Sequence, residues 1–272
     1  MTLILLYALT LFLGLSIGSF LNVVIYRLEK EENYLWGRSY CPHCKRTLNW
    51  KDLVPVFSFL ILLGRCRHCH KKISWQYPLV EILTGLIFLL IFNHSAELFT
   101  LALGQNSQNF ENFGFQLLNL LFLFYISSVL IVIFVYDLKH YIIPDKVLFP
   151  AIVITFLYQL ILNPKSYILN PILSGIGASL FFLLIFLISG GSWIGFGDVK
   201  LAVLLGLILG FPNVLVGLFL AFLFGAIIGL LLMIFRKKGL KSEVPFAPFL
   251  ITGTFLAMLF GKEIIAWYLS FL

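Results

Sequence analysis

The sequence predicts an all-α polytopic membrane protein of about eight transmembrane helices, and three observations carry that reading. Of 272 residues, 61% are hydrophobic and only 11% charged, whereas soluble domains carry about 25% charged residues. Apolar stretches of about 18 residues or more, each long enough to cross a hydrocarbon core of about 30 Å, recur along nearly the whole chain. The basic residues, which bring the net charge to +7, fall almost entirely on one side once those stretches are threaded through a bilayer.

The first stretch, Leu3 to Tyr26, lacks a basic leader and a small-residue cleavage site, so it reads as a retained span and not as a secretory signal. The remaining candidates cover 78–93, 115–136, 146–163, 172–190, 199–213, 214–235 and 247–261, with Gly210, Phe211 and Pro212 breaking one long apolar run into two helices. Lys and Arg accumulate in loops that stay in the cytoplasm. If residues 27–77 face the cytoplasm, eight crossings put all but Lys165 and Lys262 of the 19 Lys and Arg residues on that side. The positive charge is then a topology signal, so membrane lipid is expected as a partner and nucleic acid is not. The expected organisation is a first span at 1–26, a cytoplasmic loop at 27–77 and a membrane-embedded domain at 78–272. The location expected is a membrane, crossed many times, with the loop on the cytoplasmic face.

All four cysteines lie in that loop, as Cys41-Pro-His-Cys44 and Cys66-Arg-His-Cys69. Two C-x-x-C knuckles can supply four thiolates to a tetrahedral zinc ion, and disulfides are disfavoured in a reducing cytoplasm. An offset of 25 residues aligns the halves: Cys41 with Cys66, His43 with His68, Cys44 with Cys69, Arg46 with Lys71, Leu48 with Ile73 and Trp50 with Trp75. A small zinc-ribbon-like unit is expected, with Leu48, Ile73 and the two Trp residues covering the metal. Lys45, Arg46, Arg65, Arg67, Lys71 and Lys72 are placed to offset the charge of four thiolates, and His43, His68 and His70 are expected to be exposed or to support the ligands. Four cysteines leave a zinc ion no open position, so its role is structural.

Acidic residues beside membrane spans carry a functional presumption, because charge in hydrocarbon costs several kcal/mol. Asp137 closes the third span and Asp198 opens the sixth, within Gly195-Phe196-Gly197-Asp198. Two crossings separate them, so both face the same side. Two carboxylates brought close there hold one proton between them, as general acid and base in aspartyl proteolysis. Gly195 and Gly197 permit close approach, so a substrate strand could lie against that loop. Taken singly, Asp198 also reads as a helix cap and Asp137 as a boundary residue paired with Lys139 or Lys200. Asp145, after Pro144, reads mainly as a helix cap, with a share in catalysis as the lesser alternative. Glu81, after Pro78, is a further unusual carboxylate that suits an ion pair or a second active site. Gly14 and Gly18 read as small residues for close helix packing.

These residues resemble a known family, the bacterial type IV prepilin peptidases, relatives of the G-x-G-D intramembrane aspartyl proteases. The likeness runs through Gly18-Ser19-Phe20-Leu21-Asn22 to Arg27, the CPHC and CRHC pair, and Asp52 to Ser58. It continues through Tyr77-Pro78-Leu79-Val80-Glu81, Asp137 with Ile143-Pro144-Asp145, and Gly195 to Leu201. The resemblance implies that Asp137 and Asp198 are catalytic and that Cys41, Cys44, Cys66 and Cys69 bind zinc. It also implies that the substrates are type IV prepilins or pseudopilins, cut after a glycine at the cytoplasmic face. Many members also methylate the new N-terminus with S-adenosylmethionine. The sequence shows no glycine-rich nucleotide fingerprint for that donor, and Glu81 is the methylation-site candidate. Two other classes account for parts of the chain: a transporter or channel, whose trace of paired broken spans with midplane charge is not found because both aspartates sit at a boundary, and a membrane-anchored zinc module binding nucleic acid or a partner protein through its basic loop.

Overall fold

A computed structural model describes residues 2–33, 37–103, 109–162, 168–235 and 244–271. Of the basic residues used to orient the chain, Lys165, Arg236, Lys237, Lys238 and Lys241 lie outside them. The described secondary structure is helical, apart from two isolated antiparallel bridges, and falls into two compact units, Met1–Val132 and Ile133–Leu272.

The first unit is built on α1 (Thr2–Glu29) and α3 (Gln76–Leu103). They run antiparallel, and glycine lets their backbones touch: a Cβ on Gly14 would lie 2.8 Å from the Gly85 Cα, and one on Gly18 only 2.7 Å from the Glu81 Cα. This is the small-residue packing expected of Gly14 and Gly18. Between them lie the cysteine loop and a short α2 (Phe57–Ile61). Helix α4 (Asn109–His140) follows, and its Phe124 stacks on Phe88 of α3 with centroids 4.1 Å apart. Arg27, buried at the end of α1, gathers the loop's start by donating to the carbonyls of Asn33, Gly37 and Arg38.

The second unit surrounds α7 (Phe196–Leu209), whose Leu201, Ala202 and Leu204 are fully buried. A helix apolar on all sides is buried on all sides. It packs against α5 (Asp145–Leu162), α6 (Leu169–Ser189), α8 (Asn213–Ile234) and α9 (Ala247–Leu269). A Cβ on Gly206 would meet Gly175 backbone at 2.5 Å, and one on Gly253 would meet the Gly217 carbonyl at 2.3 Å, so both helix pairs depend on bare backbone contact. Gln159 of α5 donates to the Leu207 carbonyl at 2.7 Å. Gly210, at φ +64°, ends α7, in the expected break between the two spans.

Eight of these helices correspond to the eight expected spans. Six (α1, α3, α4, α6, α8 and α9) are long and apolar enough to cross a membrane by length and composition. Helices α5 and α7, of 18 and 14 residues, are the shorter two. The chain is a multi-pass membrane protein.

Candidate active site and metal loop

Asp198 stands in the first turn of α7. Gly195 is the N-cap, in extended conformation, and its N–H donates back to the Asp198 carboxylate, so a cap without a side chain is completed by the acid three residues on. That places the acid inside the helix and not at the capping position the single-residue reading offers. Gly197 is committed to packing, since a Cβ there would lie 3.2 Å from Ile143. The open edge of this loop is at Gly195.

Asp137 lies in the last turn of α4, 4% exposed, and Asp198 is 7% exposed. The two carboxylates are near enough to repel one another when both are charged. The N–H of Ala247, first residue of α9, donates to the Asp137 carboxylate. A carboxylate at a helix N-terminus is held by free N–H groups and by the dipole. The other oxygen, Oδ2, is buried without a hydrogen-bond partner. Lys200, a possible partner for Asp137 in the sequence, instead pairs with Asp145 at the start of α5. The site therefore draws on three helix ends, and the sequence reading named only two. The missing signal was Pro245-Phe246-Ala247-Pro248, where Pro248 near a helix start and the side of the membrane to which α9 returns both mark Ala247.

In the cysteine loop, the four Sγ atoms lie within 4.8 Å of one another, with Cys41 and Cys69 3.9 Å apart. A tetrahedron with metal–sulfur bonds of about 2.3 Å has edges of roughly 3.8 Å, so this all-sulfur set fits a soft divalent cation. The repeat at offset 25 is followed bond for bond. Cys41 N–H donates to the Arg46 carbonyl and Cys66 N–H to Lys71, each at 2.9 Å, while Lys45 and His70 both take positive φ and close their turns on Cys41 and Cys66. Each knuckle is sealed by one antiparallel bridge, Tyr40 with Thr47 and Arg65 with Lys72. Burial pushes the Cys41 thiol up to about 11, whereas the Cys69 and His68 N–H groups bring Cys66 down to about 7. His43, His68 and His70 are exposed, as expected, and Arg46 meets His68 Nδ1 at 3.3 Å. The expected tryptophan cover is corrected: Trp50 is 73% and Trp75 69% exposed, and Trp75 packs on Phe59. Knuckles this tight have no interior for an indole, and the sulfurs themselves form the centre.

Glu81 is buried where α1 and α3 meet. It accepts the Val56 N–H at 2.7 Å and a hydrogen bond from Ser19. Val56 is held at φ +61°, a costly conformation for a β-branched residue. Asn22 and Gln76 extend the polar cluster, with Asn22 donating to the Tyr77 carbonyl at 3.0 Å. Glu81 thus ties the segment between the knuckles to the membrane helices.

Residues 12–95 match the family model of the bacterial peptidase A24 N-terminal domain, and residues 121–230 that of the type IV leader peptidase family. The prepilin leader peptidase/N-methyltransferase of Aeromonas hydrophila is 31% identical, covering 97% of this chain and 94% of that protein. The chain belongs to the type IV leader peptidase family. The protein of the same description from Legionella pneumophila is 31% identical over 95% of this chain and 92% of its own length, and that from Bacillus subtilis (strain 168) 29% over 94% and 95%. No solved structure is a significant match. This family member therefore carries both regions of the likeness read from its sequence: the cysteine knuckles fall within the first matched segment, and Asp137 and Asp198 within the second.

Proposed function

We propose that this chain cleaves the leader of type IV prepilins or pseudopilins at the cytoplasmic face of the bacterial inner membrane, using one water activated by Asp137 and Asp198. The observation that carries the reading is two buried carboxylates at helix ends in one unit, with one Asp137 oxygen lacking a partner. Such a pair shares one proton. The ionised member takes a proton from water as its oxygen attacks the scissile carbonyl carbon, and the protonated member gives its proton to the carbonyl oxygen. Collapse of the tetrahedral species breaks the C–N bond, and the pair returns a proton to the leaving amine. Ala247 N–H orients Asp137, and the backbone at Gly195 lines the approach to Asp198.

The curated relatives are described as N-methyltransferases as well, which supports a second activity on the new N-terminus. S-adenosylmethionine, when bound, supplies the methyl group. Glu81 is the candidate for this region; its oxygens are held by Val56 and Ser19, which makes it the anchor of the loop there. Cys41, Cys44, Cys66 and Cys69 hold a structural zinc ion that keeps the loop's shape.

Purified protein in lipid is incubated with a prepilin, alongside Asp137→Ala and Asp198→Ala. Cleavage by the parent and by neither variant is the expected result; cleavage surviving both substitutions would falsify the catalytic assignment. Transfer of a labelled methyl group is assayed separately, and parent protein that cuts but never methylates would remove the second activity.

A further inference from the structure

The segment between the two knuckles leaves its apolar residues outside. In Phe57-Ser58-Phe59-Leu60-Ile61-Leu62-Leu63 no residue of α2 is buried, and Ile61 and Leu63 are 76% and 85% exposed, with Phe57 and Leu60 exposed beside them. A contiguous apolar patch of this kind marks an interaction surface, and depth identifies what covers it. Val56, at the head of α2, donates to Glu81 at 2.7 Å, and Glu81 lies against Gly18 where α1 and α3 meet. On the loop side of that meeting point both helices still turn large apolar side chains outward, Phe20 on α1 and Leu79 on α3, within stretches apolar enough to cross a membrane. Lipid therefore reaches past the level at which α2 begins.

The segment is also built to stand there. Leu62, Leu63 and Gly64 donate to the carbonyls of Ser58, Leu60 and Phe59, so these groups at the end of α2 are satisfied without water. Trp75, the residue before α3, packs on Phe59 and is largely exposed, as suits an indole at headgroup level. Positive charge follows at once: Arg65 comes two residues after Leu63 and is bridged through the backbone to Lys72. From residue 37 to residue 77, eight Lys and Arg residues stand against one acid, Asp52, which Arg67 already holds. Four thiolates on a divalent cation would take back two of those charges. The surplus that remains suits anionic headgroups and disfavours a second copy of the same surface. We propose that α2 and the turn after it are seated in the lipid boundary on the loop's side, with Phe57, Leu60, Ile61 and Leu63 against acyl chains and Arg65, Lys71 and Lys72 against anionic headgroups. The loop is then held to the bilayer through its own middle as well as by α1 and α3, and this does not depend on the peptidase reading.

The test reads depth in the full-length protein, reconstituted in bilayers of phosphatidylcholine and phosphatidylglycerol. A fluorescent amino acid replaces Ile61, and in a second sample Leu79, the standard that faces lipid on α3. Lipid brominated near the top of its acyl chains should quench the Ile61 probe to within about twofold of the Leu79 probe, as for a segment lying in the interface, and iodide in the water should quench neither. Iodide quenching at Ile61 without quenching by brominated lipid puts α2 in water and overturns the proposal. As a minor component, brominated phosphatidylglycerol should quench the Ile61 probe at least about twofold more than the same fraction of brominated phosphatidylcholine. Arg65→Gln with Lys72→Gln should abolish that excess. Equal quenching by the two lipids in the parent overturns the anionic preference. A photocrosslinker at Leu63 should give lipid adducts, and adducts joining two copies of the chain, or the chain to another protein, would overturn lipid as the occupant.

Discussion

The cysteine loop and the aspartate site are built in opposite ways. All four thiols come from two four-residue segments, and each knuckle closes on itself through the same two backbone bonds. The acidic pair is assembled from the last turn of α4 and the first turn of α7, with the first N–H of α9 holding one member. The loop's geometry is therefore a property of short sequence, fixed by its turns and four converging thiols, whereas the aspartates meet only if several helices pack correctly. Damage should stay local in the first region and spread in the second.

The sharpest break in that comparison is removal of either acid. Asp137→Ala and Asp198→Ala should each lower prepilin cleavage by on the order of 10³-fold or more, with insertion and thermal midpoint near those of the parent. Asp198→Asn should do nearly the same, because an amide keeps the shape but cannot exchange the shared proton. Turnover by that variant would mean that Asp198 serves α7 and not the reaction.

Next in size is a substitution far from the chemistry. A side chain on Gly206 would strike Gly175 and Ser174 backbone at 2.5 Å, which neither helix can yield without separating. Gly206→Val should destabilise the second unit by roughly 1–3 kcal/mol or more, read as a lower melting temperature in detergent with cleavage lost in parallel. An unaltered melting temperature would show that α6 and α7 do not cross there. The same logic explains what could be read in the chain beforehand. The repeat at offset 25 and the apolar periodicities are short-range, so the knuckles and the helices were legible. The Ala247 donor and the exposed faces of Trp50 and Trp75 were not, because they follow from which surfaces meet, and one strand of sequence does not state that. Asp137 and Asp198 were legible through their rarity, their common side and the family motifs around them.

A smaller effect on cleavage is expected from the metal. Cys44→Ser, or a strong chelator, should take bound zinc from about one ion per chain to none. If methyl transfer depends on the segment that Glu81 pins beside the knuckles, methylation should fall much further than cleavage. Equal losses of both activities would mean that the loop is not a local structure and would end the contrast drawn between the two regions.

The smallest effect belongs to Asp145, which shares the acidic pair's side of the membrane and ion-pairs with Lys200, two residues beyond Asp198. Its side chain is 52% exposed, and exposed pairs contribute about 0–1 kcal/mol. Asp145 is the first residue of α5, where losing a carboxylate's charge costs about 0.3–1 kcal/mol. Asp145→Asn should therefore keep kcat within about fivefold of the parent, the scale of 1 kcal/mol, and lower stability only slightly. A collapse as deep as that of Asp198→Asn would mean that a third carboxylate shares the proton, and the site would then have to be rebuilt around three acids and Lys200.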